Sequence, residues 1–94
     1  MDNILYLTNL YDYYESLLTD KQRNYFKDYY FNNLSLAEIS ENYKVSRNAI
    51  YKQIKETVNK LNYYEEKLHL YKKSLKIKEI IKDLKEKDEI EKLI

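Results

Sequence analysis

Apolar residues recur along this chain at steps of three and four, the spacing of one face of an α-helix. The first stripe, Ile4, Leu7, Tyr11, Tyr14 and Leu18 widened by Leu10 and Leu17, predicts an amphipathic helix of about four turns that Thr19 stops. Thr19-Asp20-Lys21-Gln22 has the form of a capping box, in which the hydroxyl takes the amide of the third helical residue and Gln22 reaches back. A second helix is therefore predicted from Asp20 to about Asn32, burying Phe26, Tyr25 and one of Tyr29 and Tyr30, with Asn33 standing in for a helix-ending Gly. Ser35-Leu36-Ala37-Glu38 repeats the box and opens a helix of two turns with Leu36, Ile39 and Tyr43 as inward candidates. Ser46 is a further N-cap just before Ala49, Ile50 and Ile54, so two helices meet across Asn42 to Lys44, the spacing of a helix-turn-helix.

Beyond the motif the stripe continues through Val58, Leu61, Tyr64, Leu68, Tyr71 and Leu75, too regular for a linker. Ser74 is the expected break, because the phase shifts there to Ile77, Ile80, Ile81 and Leu84 before thinning to Ile90, Leu93 and Ile94. The chain thus divides into a helix-turn-helix domain over 1–73, with the motif at about 35–61, and a charged helical tail over 74–94. Eight Lys and six acids from Lys72 onward make that tail a solvated helix with i, i+4 charge pairs.

Composition narrows the class. Gly 0 and Pro 0 remove the residues that make hairpin turns and phosphate-cradling loops, which leaves an all-α chain. Cys 0 excludes disulfides, a thiol nucleophile and thiolate metal sites. At 94 residues the core is thin, since a chain this short buries only ~60 to 65% of its unfolded surface. The longest runs without charge, Asn3 to Tyr11 and Tyr29 to Ala37, fall far short of the ~20 apolar residues of a spanning helix, so no membrane insertion is expected. Met1-Asp2-Asn3 lacks the basic start of a secretory leader, and a cytoplasmic location follows as the expectation.

The formal net charge is only +1, so any signal for nucleic acid must be local. Between Ser46 and Leu61, Arg47, Lys52, Lys55 and Lys60 oppose Glu56 alone. Two helices that cross tightly need a small residue, Ala37 or Ser40, and apolar residues on both, Ile39, Val45, Ile50 and Ile54. With those inward, the second helix turns Arg47, Asn48, Tyr51, Lys52 and Lys55 outward, and its N-terminus adds the positive end of a helix dipole. Lys44 occupies a turn position where many such motifs have Gly, at a cost of about 1 kcal/mol for positive φ. The candidate nucleic-acid-binding set is Lys44, Ser46, Arg47, Asn48, Tyr51, Lys52 and Lys55.

Four runs carry a family resemblance: Leu18-Thr19-Asp20-Lys21-Gln22-Arg23, Leu34-Ser35-Leu36-Ala37-Glu38-Ile39-Ser40, Val45-Ser46-Arg47-Asn48-Ala49-Ile50-Tyr51 and Tyr64-Glu65-Glu66-Lys67-Leu68. Over about residues 4 to 72 the chain resembles the YlxM family, small bacterial helix-turn-helix proteins similar to region 4 of sigma factors. It departs from that family's pattern at Ser40, where Ala is usual. The resemblance implies a sigma-region-4-like bundle of four to five helices with a long C-terminal helical extension. It also implies an often dimeric protein of the signal recognition particle pathway that modulates the particle's GTPase and binds its RNA. The expected function is a non-enzymatic nucleic-acid-binding adaptor. Two alternatives stand beside it: a dimeric sequence-specific DNA-binding regulator, with paired helices about 34 Å apart, and a protein-only interaction module.

Other candidates are weaker. Twelve Tyr could stack on unpaired bases, Tyr51 foremost because it lies on the basic strip, but pairs such as Tyr13-Tyr14, Tyr29-Tyr30 and Tyr63-Tyr64 put at least one ring of each into the core. His69 has no partner at catalytic spacing and reads as structural or solvated. Glu65-Glu66 and Asp88-Glu89 lack the loop a calcium ion needs, so neither a metal nor another cofactor is expected. The stripe Leu61, Tyr64, Leu68, Tyr71 and Leu75 either packs back on the first helix or forms a dimer or partner contact, and the thin core favours a homodimer.

Overall fold

A computed structural model describes the backbone of residues 3–93 and the side chains of residues 3–89. Met1 and Asp2, read above for a leader, and the side chains of Ile90, Leu93 and Ile94 from the tail stripe lie outside the described residues. Five α-helices follow in order: α1 (Ile4–Tyr14), α2 (Asp20–Phe26), α3 (Leu36–Tyr43), α4 (Arg47–Leu68) and α5 (Leu70–Leu93). Among the described residues there is no strand.

The caps read from sequence are in place. Asn3 Oδ1 accepts the amides of Leu5 and Tyr6 to open α1. Thr19 with Gln22 and Ser35 with Glu38 form reciprocal boxes at α2 and α3, and the Ser46 hydroxyl oxygen accepts the Ala49 amide at 3.1 Å to open α4. Each satisfies an amide that a helix N-terminus would otherwise leave unpaired.

Two elements depart from expectation. The first helix ends at Tyr14 and tightens into a 3₁₀ turn over Glu15–Leu17, which leaves Leu17 exposed while Leu18 stays in the core. The second helix does not run unbroken to Asn32: from Lys27 to Phe31 it widens into a π turn, closed by the Asn32 amide donating to the Lys27 carbonyl at 2.9 Å. The extra residue lets both Tyr30 and Phe31 reach Phe26, with ring centroids 4.6 and 6.2 Å apart.

Helices α1, α2 and α3 all pack on α4. One cluster buries Leu7, Leu10, Tyr11, Tyr14, Leu18, Phe26, Val58 and Leu61 between α1, α2 and α4, with Tyr11 stacked flat on Phe26 at 4.8 Å. The other buries Tyr25, Ile39, Ile50 and Ile54 inside the helix-turn-helix. Tyr30 packs against both and joins them. Val45, expected inward, is 37% exposed, and Tyr43 lies edge-on to Tyr25 at the rim.

The break in the long C-terminal stripe is at His69, not Ser74. His69 has φ 55°, the left-handed conformation that ends α4, and α5 begins at the next residue and passes through Ser74 uninterrupted. The first amides of α5 have partners from elsewhere in the fold. The Leu70 amide donates to the Tyr14 hydroxyl oxygen (3.1 Å), while the Tyr71 and Lys72 amides donate to Glu65 Oε1 and Oε2 (3.1 and 3.0 Å). Tyr14 in turn donates its hydroxyl proton to Glu65 Oε1 at 2.7 Å. Glu65, buried one turn before the end of α4, therefore caps the next helix and ties it to α1. Ser74 instead sits within α5, its Oγ accepting from the Tyr13 hydroxyl.

Beyond Ser74 the helix leaves the bundle and gives the molecule extents of 65 × 26 × 23 Å. Its described side chains from Leu75 on are all exposed. Among the described residues the expected charge pairs along the tail do not close, and the ion pair is Asp20 with Arg23.

Burial first, and then the hydrogen bond to Glu65, push the Tyr14 hydroxyl up to about 12. A tyrosine in the unfolded chain loses its proton near pH ~10. Between these values the unfolded chain is the form that releases the proton, so the Tyr14 contribution to stability is whole below pH ~10 and is lost as pH rises through the folded value. Tyr14→Phe is expected to cost about 1–3 kcal/mol at neutral pH, because the Leu70 amide loses its acceptor. Urea denaturation across the alkaline range should also show a shallower decline for this variant than for the wild type, and an identical decline would refute the assignment.

Candidate nucleic-acid interface

The surface of interest is built by α3, the turn after it and the first half of α4. The turn comprises Lys44, Val45 and Ser46, two residues later than the spacing predicted, because α3 extends to Tyr43. Lys44 takes φ 56° and ψ 44°, and its amide and that of Val45 both donate to the Ser40 carbonyl. The Ser40 hydroxyl donates to the Val45 carbonyl. Ser40 thus brackets the turn from both sides, a role that an Ala at this position could not fill. The Ser46 cap then fixes where α4 starts.

Ile50 and Ile54 on α4 and Ile39 on α3 are buried against each other, which decides the rotation of α4 about its axis. Arg47, Asn48, Tyr51, Lys52 and Lys55 consequently all face solvent, as do Lys44 and Ser46. The structure brings the seven predicted residues onto one continuous face, and Tyr51 is 54% exposed despite its size. Leu36, Ser46, Arg47, Asn48 and Tyr51 line a shallow concavity of about 460 Å³ at the mouth of the motif.

Lys60, counted with this strip in the sequence, belongs elsewhere. Its Nζ donates to Gln22 Oε1 at 3.0 Å, and with Glu56 and Tyr63 it lines a separate hollow beside α2. The charged groups of the strip are then Lys44, Arg47, Lys52 and Lys55, with the exposed Glu56 one turn beyond Lys52 at its edge. Such a face, at the N-terminal end of a 22-residue helix, attracts phosphate through both its side chains and the helix dipole.

The predicted partner stripe divides. Leu61 is fully buried inside this chain, so it is not a partner contact. Tyr64 packs on Tyr14 and Tyr71 on Tyr6 and Tyr13, with ring centroids 5.7 to 6.1 Å apart, and the Tyr71 hydroxyl accepts from Asn9 Nδ2. Both rings are spent holding α1 to α4 and α5. Leu68 and Leu75 stay exposed.

Sequence reasoning missed Tyr29, Tyr30 and Asn59, which border this face from the π turn and from the next turn of α4. In a chain with twelve Tyr their neighbours gave no means of telling them from core rings.

A family model described as helix-turn-helix proteins, YlxM / p13 like, matches residues 1–94. The chain belongs to that family. It is 49% identical over 86 residues to a family protein of Halalkalibacterium halodurans, covering 92% of this chain and 79% of that one. A protein of Caldanaerobacter subterraneus subsp. tengcongensis is 47% identical over 85 residues, covering 90% and 73%. YlxM of Bacillus subtilis is 52% identical over 77 residues, covering 82% and 70%. The family and its motif suggest a nucleic-acid-binding, regulator-like protein. No helix among the described residues is long and apolar enough to cross a membrane.

Because an L-residue held at left-handed φ costs about 1 kcal/mol or more that Gly does not incur, Lys44→Gly is expected to stabilise the fold by about 1 kcal/mol. Lys44→Ala, which keeps a Cβ, should leave the urea midpoint where it is. A midpoint lowered by the Gly variant would show that turn strain is not the governing factor.

Proposed function

We propose that this protein is a non-enzymatic adaptor that lays the N-terminal half of α4 on a nucleic-acid backbone, and that its target is the structured RNA of the signal recognition particle. The observation that carries the docking is the cationic row Lys44, Arg47, Lys52 and Lys55, exposed at the start of a helix whose N-terminus is capped and whose turn is bracketed. Arg47, Lys52 and Lys55 contact phosphates, Asn48 and Tyr51 contact bases, and Ser46 fixes the helix end. The pathway, with modulation of the particle's GTPase, is supported by the family resemblance rather than by the geometry. A cytoplasmic location goes with it.

Neutralising three phosphates predicts that log affinity falls with log salt at a slope of about −2 to −3, reduced in magnitude by about 0.7 to 0.9 in Arg47→Ala. Titration against signal recognition particle RNA and random duplex DNA in parallel checks both parts. Tighter binding to the RNA supports the adaptor, tighter binding to DNA supports a transcriptional regulator, and salt-independent binding rules the docking out.

The protein acts as a homodimer through α5. Ile77, Ile80, Ile81 and Leu84 are each about half exposed, and none of the described residues covers them. The charge on α5 is graded: four lysines and no acid stand between Leu70 and Lys78, then six acids against three lysines between Glu79 and Glu91. An antiparallel pair sets the basic half of each helix beside the acidic half of its partner, whereas a parallel pair sets like against like. Sedimentation equilibrium should give a dimer for the wild type and a monomer of unchanged helicity for Ile80→Glu with Leu84→Glu; a wild-type monomer at high micromolar concentration would exclude it.

A further inference from the structure

One concavity beside the basic row differs in character from the rest of the surface. It measures about 270 Å³ and is lined by Tyr29 and Tyr30 from the π turn, Leu36 from α3, and Tyr51, Ile54, Lys55, Val58 and Asn59 from α4. Three of these are aromatic rings. Tyr29 and Tyr30 stand edge to face, with centroids 5.0 Å apart at 88°, and Tyr51 projects from the far side. The volume is just below the range of drug-sized pockets, which suits a single planar ring system.

Its position gives it a partner. Arg47, Tyr51, Lys55 and Asn59 follow one another at i, i+4 along α4, so they form one row advancing about 6 Å per step. Tyr51 and Leu36 line both this concavity and the shallower one that holds Arg47 and Asn48. The cationic face therefore runs without interruption into an aromatic recess, with Lys55 at its lip and the Asn59 amide, a donor and an acceptor, beside it. The π turn that presents Tyr29 and Tyr30 is a device found frequently at functional sites.

We propose that this recess receives one unpaired nucleobase of the bound RNA, stacked against Tyr51 and enclosed by Tyr29 and Tyr30, with Lys55 on the adjoining phosphate and Asn59 on the base edge. The assignment rests on the docking proposed above and adds to it the class of RNA: a stem interrupted by a bulge or loop. Bases within a continuous duplex are stacked on each other and offer no face to an aromatic ring, whereas splayed bases in bulges and loops do.

The test uses the full chain with two probes, an RNA stem-loop carrying a single bulged 2-aminopurine and its fully paired counterpart. The wild type should bind the bulged probe about 5- to 150-fold more tightly, the range of one base–aromatic stack, and quench the 2-aminopurine fluorescence. Tyr51→Ala, a change at an exposed position, should bring the ratio close to one and abolish quenching, and Tyr51→Phe, which keeps the ring, should restore both. Tyr29→Leu should lower the ratio as well, whereas Arg47→Ala should weaken both complexes and preserve it. Salt-dependent binding to both probes at a ratio of one, without quenching, overturns the base site and leaves the docking intact. Absence of binding to either probe overturns both.

Discussion

The arrangement of the long helices depends on one buried carboxyl group. Glu65 accepts the Tyr14 hydroxyl and the Tyr71 and Lys72 amides, so one side chain joins α1, the end of α4 and the start of α5. Acceptance of amides at a helix N-terminus is where negative charge is most favoured. An unsatisfied buried partner at this junction would cost about 1–3 kcal/mol. The Tyr14 hydroxyl completes the network by accepting the Leu70 amide, so no donor in the first turn of α5 is left to water. The direction in which α5 leaves the bundle, and with it the direction in which its apolar stripe faces, is set here rather than by the tail's own contacts.

A chain without glycine must place ordinary residues at left-handed φ wherever a helix has to end sharply. Among the described residues it does so at Asn33, Lys44 and His69, with φ 59°, 56° and 55°. Asn tolerates this conformation through its short polar side chain and His is also enriched in it, whereas Lys has no such advantage; at Lys44 and at His69 a helix ends beside the core. At each of those two positions the surrounding structure supplies a compensation: Ser40 brackets Lys44 from both sides, and the Tyr14–Glu65 pair holds the segment that follows His69. Rigidity at the Lys44 turn bears on the proposed docking, because the turn sets the angle and the starting point of α4, and every candidate contact residue is measured from that start.

What could be read in advance follows from how local each signal is. The capping boxes at Thr19 and Ser35 and the cap at Ser46 are contacts between residues three apart, and all three stand as the sequence implied. The inward set Ile39, Ile50 and Ile54 follows from helical period alone, and the outward set from Arg47 to Lys55 follows from it. The break at His69 was illegible because its cap comes from Glu65 and Tyr14, the latter more than fifty residues away in sequence, while Ser74 offered a local signal that the fold uses differently. Leu61 and Tyr71 read equally well as partner contacts because a stripe does not disclose what covers it. Lys60 counted toward the basic face only until Gln22 was seen to hold it. The π turn, and the aromatic recess behind it, needed Tyr30 and Phe31 both to reach Phe26, a demand of packing that no local pattern encodes.

These features bear on each other at the face proposed for docking. A reader of continuous duplex needs donors on a convex helix surface and has no use for a recess. Here the same helix that presents Arg47 and Lys52 to solvent also walls a concavity with Tyr51 and Lys55, and the opposing wall comes from the π turn over Lys27–Phe31. Regular helix through Lys27 to Phe31 would carry Tyr29 and Tyr30 to different positions around α2, and the recess would lose one side. The second core cluster then ties the two walls together, since Tyr29, Tyr30 and Leu36 pack on Tyr25, Ile39, Ile50 and Ile54. Charge and aromatic recess are therefore held in fixed relation by the same buried residues, which makes their combination a property of the fold rather than of mobile surface side chains.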